Sequence, residues 1–198
     1  MKDERNYLVH PQYIILTLVL AGVTALFLGF TFSYLYNRVQ QGVPPVALPT
    51  LFYYNSILLL LSSGGLWYAK RFYLEDNTYK YKVALAITLA LSLLFLGAQI
   101  LAWMQLDMNS IAVNHSTMAS YLYLISGLHF VHVVAGIPFL AYFLFVAHKR
   151  MKSPVSVLIY FSDPNKKRKL NLLNIYWHFL DALWIYLVLF FLINYLIQ

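Results

Sequence analysis

Charged residues interrupt this chain only at wide intervals, and the stretches between them are apolar. No Asp, Glu, Lys or Arg falls between Arg5 and Arg38, between Arg38 and Lys70, between Lys82 and Asp107, or between Asp107 and Lys149. From Leu170 to Gln198 the one charge is Asp181. A hydrocarbon core about 30 Å thick is crossed by roughly 20 residues of helix, so each gap has room for one spanning helix. The pattern predicts helices near 12–36, 50–70, 82–106, 119–147 and 172–197. Gly42, Pro44, Pro45 and Pro49 delay the second helix until no proline removes a needed donor. Asn109, Asn114 and Ser116 hold the long fourth gap to a single helix. The first stretch exceeds the roughly 7–15 apolar residues of a signal-peptide core and is expected to stay in the mature protein. The expected fold is all-α: a polytopic, five-transmembrane-helix bundle forming a single membrane domain over 1–198.

Composition and charge sharpen this picture. Hydrophobic residues make up 61% of the 198 positions and charged residues 11%, where a soluble domain has roughly 25% charged. That much apolar surface excludes an ordinary soluble enzyme and a disordered chain. The absence of cysteine excludes disulfides, thiolate metal sites and cysteine nucleophiles. Thirteen of the fourteen Lys and Arg fall before the first helix, between the second and third, or between the fourth and fifth; Arg38 alone falls on the other side. The positive-inside rule then puts the N-terminus in the cytoplasm and the C-terminus outside. The net charge of +7 thus reads as a topology signal, and no nucleic-acid partner is expected. The basic stretch 148–171, with turn signals at Ser153-Pro154 and Asp163-Pro164-Asn165, reads as a solvated cytoplasmic loop near anionic headgroups. Trp67, Trp103, Trp177 and several tyrosines near the predicted helix ends suit the membrane–water interface.

Polar groups at bilayer depth mark bundle interiors, partners or sites. His129 and His132 share one face of the fourth helix, about 60° apart, with Gly127 and Gly136 nearby. His178 and Asp181 repeat the spacing in the fifth, between Trp177 and Trp184. Gln99 lies in the third helix one turn before Trp103, and Asn55, Ser56, Ser62 and Ser63 lie in the second. Imidazole is a ligand for iron, copper or zinc, which is the sharper reading. The alternative is a structural intramembrane hydrogen-bond network of His129, His132, His178, Asp181, Gln99 and Asn55, the fourth and fifth helices turning these groups toward each other. The network is preferred. His178 falls about 9 Å inside the predicted start of its helix and His132 nearer the middle of its own, a poor match for a shared ligand pair. One intramembrane carboxylate is too few for a proton relay. His10, His115 and His148 read as solvated, and Gly22, Gly29, Gly64, Gly65 and Gly97 as close-packing positions. No Gly-rich phosphate loop, Ser-His-Asp set or HExxH is present.

These residues carry a resemblance. The stretch GLHFVHVVAG over 127–136 resembles the GxHxxHVxxG signature of subunit III of haem–copper oxidases, and YWHFLDALW over 176–184 resembles the YWHFxDxxW of that family's last helix. Weaker agreement covers Asn55-Ser56 with Leu61-Ser62-Ser63, and Phe95 to Gln99. The likeness runs through all five predicted helices, as in a short form lacking the first two of seven. It implies a non-catalytic subunit of a respiratory terminal oxidase, such as cytochrome c oxidase, which reduces O2 to water and translocates protons. Such a subunit sits in the bacterial cytoplasmic (inner) membrane. It stabilises subunit I beside subunit II and holds phospholipid. It binds no cofactor or metal itself; haem and copper belong to its partners. The resemblance makes Gly127, Gly136, Tyr176, Trp177, Trp184 and Trp103 packing positions. Two departures stand out: Leu20–Phe27 contains no acid where the family carries a membrane glutamate, and Ala102 replaces the glutamate after Gln99. The resemblance therefore implies assembly and lipid holding rather than proton handling at those positions. Other readings are a quinol oxidase subunit III, an accessory subunit of nitric oxide reductase, an independent histidine-based haem or metal membrane protein and, least, a small transporter.

Overall fold

The computed structural model describes residues 10–109, 111–151 and 153–197. Among them the regular structure is entirely helical: α1 (Pro11–Gln41), α2 (Thr50–Leu74), α3 (Thr78–Met108), α4 (Thr117–Arg150), α5 (Pro154–Ser162) and α6 (Pro164–Leu196). Five of these starts have a side-chain cap. His10 Nδ1 accepts from the Gln12 amide with Pro11 in the first turn, and Asn77, Ser116 and Asp163 cap α3, α4 and α6 with side-chain oxygens. Gly42 ends α1 in the left-handed conformation at φ 61°, a backbone state that costs glycine little.

Four helices (α1, α3, α4 and α6) are long and apolar enough to cross a membrane. α2 has the length, 25 residues or about 37 Å at 1.5 Å per residue, but its middle is diluted by polar residues. The physical reason is visible in the packing: Asn55 and Ser62 are fully buried inside the bundle, so α2 carries inward polarity that lowers its average apolar character.

The expected elements are present with longer bounds, and the stretch 148–171 is corrected. It is not one connector. Met151 ends α4, the nine-residue α5 follows, and α6 begins at Pro164, carrying the basic run Lys166–Lys169 in its first turns. Ser153 and Ser156 form a reciprocal capping box that starts α5. Lys2, Arg5 and Lys152, which entered the charge count, lie outside the described residues.

α2, α3, α4 and α6 pack in a ring, each against the next, and α1 docks outside against α4 and α6. The long helices alternate in direction. Lys82 Nζ bonds the Met151 carbonyl at 3.1 Å and Arg168 Nε bonds Gln12 Oε1 at 3.0 Å, gathering one end of the bundle. At the other end Arg38 bonds Asn194 Oδ1 at 2.9 Å, and Asn37 bonds the Tyr121 hydroxyl at 3.0 Å. Two apolar clusters stack along the bundle. One is built around Phe27, Phe52, Phe95 and Trp184; the other, around Tyr73, Tyr81, Leu140 and Phe161, is closed by α5.

Candidate functional site

The two resembling motifs meet. Tyr176 donates its hydroxyl to the His132 carbonyl at 2.8 Å, and Trp177 lies so close to Gly136 that a Cβ there would come within 2.8 Å of its ring. One turn of α4 earlier, His129 is fully buried, 4.9 Å from the Trp184 ring centroid and 5.9 Å from Phe95. Neither of its ring nitrogens has a hydrogen-bond partner. His132 bonds the Leu128 carbonyl of its own helix and meets the Phe27 ring of α1 edge-on.

Around this contact each indole N–H finds a hydroxyl on a neighbouring helix. Trp103 donates to Ser126 Oγ at 3.0 Å, Trp177 to Ser62 Oγ at 3.2 Å and Trp184 to Ser56 Oγ at 3.1 Å. Buried Asn55 donates to Gln99 Oε1 at 2.8 Å, and Ser62 and Ser92 share a hydrogen bond at 3.1 Å. In hydrocarbon these hydroxyls and amides have no water to return to, so each bond ties one helix to another rather than to solvent.

The fifth predicted helix does not turn all its polar groups toward the fourth. His178 points instead to α2, where Ser63 Oγ lies 2.6 Å from Nδ1. Asp181 is buried with neither carboxylate oxygen hydrogen-bonded, and one stands 4.0 Å from the same Nδ1. α6 starts at Pro164, so His178 is about 21 Å along the helix, but the added turns carry the basic run and His178 lies about 14 Å beyond Lys169. The histidines that could be ligands are therefore separated: His129 is enclosed by aromatic rings, and His178 pairs across the α2–α6 seam. Among the described residues no group of three or more His, Asp or Glu gathers in a way that could hold a metal.

Glycine roles divide. Gly65 faces Thr88, where a Cβ would meet Oγ1 at 2.6 Å, whereas side chains at Gly127, Gly22, Gly29, Gly64 and Gly97 would meet nothing within 4 Å. His115, between α3 and α4, and His148, in the last turn of α4, are exposed, and His10 is a helix cap. In α5, burial pushes the Tyr160 phenol above its ordinary value.

A cleft of about 720 Å³ opens between α1, α4 and α6, and its lining is not legible in the sequence of any one helix. Its walls include Leu16 and Val19, Pro138 and Phe139, and Leu172 and Tyr176, while Gln12 and Lys169 line the end nearest the basic run. The signal was divided among three helices: a proline inside α4, a nonpolar face on α1, and cations at the start of α6.

Comparison with known proteins follows the same lines. The family model described as "Cytochrome c oxidase subunit III" matches residues 18–195. Cytochrome c oxidase subunit 3 of Synechocystis sp. is 28% identical over 175 residues, covering 86% of this chain and 70% of the relative. That of Thermostichus vulcanus is 26% identical over 187 residues, covering 90% and 86%. That of Prototheca wickerhamii is 29% identical over 170 residues, covering 82% of this chain and 60% of the relative.

Proposed function

The chain belongs to the cytochrome c oxidase subunit III family, and from that premise we propose that it is a non-catalytic subunit of a haem–copper terminal oxidase in a bacterial cytoplasmic membrane. It crosses the membrane five times, with the N-terminus in the cytoplasm, and packs against the haem-bearing subunit I in an assembly that includes subunit II. Haem and copper reside in those partners. The observation that carries this reading is the family match over 18–195. The joining of the two motif helices through Tyr176–His132 and Gly136–Trp177 supports it. The polar network has a structural role: Asn55–Gln99 and the three indole–serine bonds hold the ring of helices in register.

The α1–α4–α6 cleft holds phospholipid. Its walls suit acyl chains, and Lys169 with the neighbouring basic run suits an anionic headgroup. At the two positions where the family carries glutamates there is no acid, and Ala102 is fully buried, so the chain supplies no proton-transfer group there.

The experiment is purification in mild detergent through an N-terminal tag, with mass spectrometry of co-purifying chains. A large haem-bearing membrane chain of terminal-oxidase type is expected in stoichiometric amount. Recovery of this chain alone from native membranes, under conditions that keep other oxidase complexes whole, would contradict the proposal.

A further inference from the structure

The α2–α6 seam presents an unusual group to the outside of the bundle. His178 sits near the middle of α6, yet its side chain is 40% exposed. Ser63 occupies Nδ1 at 2.6 Å, and the buried Asp181 carboxylate, without a hydrogen bond of its own, stands behind the same nitrogen at 4.0 Å. The other ring nitrogen, Nε2, remains free to donate or accept at the surface. His132 differs, because it bonds the Leu128 carbonyl and lies against Phe27.

Helical spacings of three and four place Ile175 and Ala182 on the same stripe of α6 as His178, and Leu60 and Trp67 on the same stripe of α2 as Ser63. All four flanking residues are exposed. The seam is thus an apolar strip with one hydrogen-bonding imidazole at its centre. Acyl chains offer that imidazole nothing, and ionisable groups at this depth almost always face protein or water. The outer surface of α3, at Ile87, Leu94 and Leu101, is apolar and suits lipid as it stands.

We propose that the α2–α6 seam is the docking face for a transmembrane helix of the catalytic partner, which meets His178 Nε2 with a hydrogen-bonding side chain inside the membrane. This rests on the proposed function above. Lys70 continues the α2 stripe beyond Trp67, so a cation closes one end of the seam, and pairing of two copies of this chain is the other outcome that the test below distinguishes. Ser63 and Asp181 act as positioning residues, holding the imidazole so that Nε2 points outward.

The test is photo-crosslinking in native membranes, with a photoreactive amino acid at Leu60 or Ala182 and, as comparison sites, at Leu94 or Phe139. Seam positions are expected to capture the haem-bearing chain, and the comparison positions to label lipid. In parallel, His178→Phe is expected to weaken retention of that chain through detergent washing by roughly threefold to tenfold, the scale of one interhelical hydrogen bond, and His178→Gln to retain most of it. Capture from Leu94 or Phe139 with none from the seam would overturn the docking face while leaving the subunit assignment intact. Crosslinks joining two copies of this chain at the seam would overturn it in favour of self-association. If wild-type membranes hold no haem-bearing partner for this chain, both the seam and the subunit assignment fail.

Discussion

Gly136 illustrates how a single position sets the approach of two helices. A Cβ there would lie 2.8 Å from Cζ3 of Trp177 and 3.0 Å from Cε1 of Tyr176, and both rings are held in place by hydrogen bonds to Ser62 Oγ and the His132 carbonyl. Gly136→Val should therefore lower stability by about 1–3 kcal/mol, the usual cost of overpacking, read as a drop in the thermal midpoint of the solubilised protein. Gly127→Ala is the control, since nothing lies within 4 Å of its Cβ; it should leave the midpoint unchanged or higher. Equal losses in both variants would show that Gly136 is no closer a contact than Gly127. The motif residues were recognisable from sequence because their spacing is local. Their partners were not: His129 and His178 follow the same three-residue rule with their neighbours, but one faces an aromatic interior and the other a serine on α2. Spacing fixes which residues share a face. The rotation of the helix in the bundle decides what that face meets.

At the scale of elements, α5 is the piece that periodicity could not separate from a loop. Nine residues between Pro154 and Ser162 are too few for a helical period to stand out beside turn signals and a basic run. The readable sign was Ser153 followed three residues later by Ser156, the capping pair that starts it. α5 is held by packing rather than by propensity, as short helices are. Tyr73 donates to the Tyr160 carbonyl at 3.1 Å, and Phe161 meets the Tyr73 ring edge-on at 5.0 Å. Tyr73→Phe removes the donor and keeps the ring, which should loosen α5 without unfolding the bundle. Faster tryptic cleavage at Lys149 and Arg150, with the long helices still protected, is the expected readout. An unchanged cleavage rate would show that the hydroxyl contributes nothing to docking. The long helices were legible for the opposite reason: twenty or more apolar residues between charges leave few other structures open in a bilayer.

At the scale of the whole molecule, the alternating helices bring the described cations of three separate segments to one end, while Arg38 is bound by Asn194 and the Ile197 carbonyl at the other. The docking of α1 mainly against α4 and α6 leaves the cleft open beside Lys169, a feature of assembly that no single helix's sequence displays. Lys169→Glu should reduce the anionic phospholipid that co-purifies, measured by lipid mass spectrometry against wild type; an unchanged lipid complement would remove the headgroup role from Lys169.

The central claim is that this chain supports a haem-bearing partner without carrying haem itself. The most direct measurement is the visible redox difference spectrum of the purified complex before and after this chain is stripped from it with a stronger detergent. The account predicts that all haem absorbance stays with the remaining complex and that the stripped chain is colourless. Haem absorbance that leaves with this chain would contradict it.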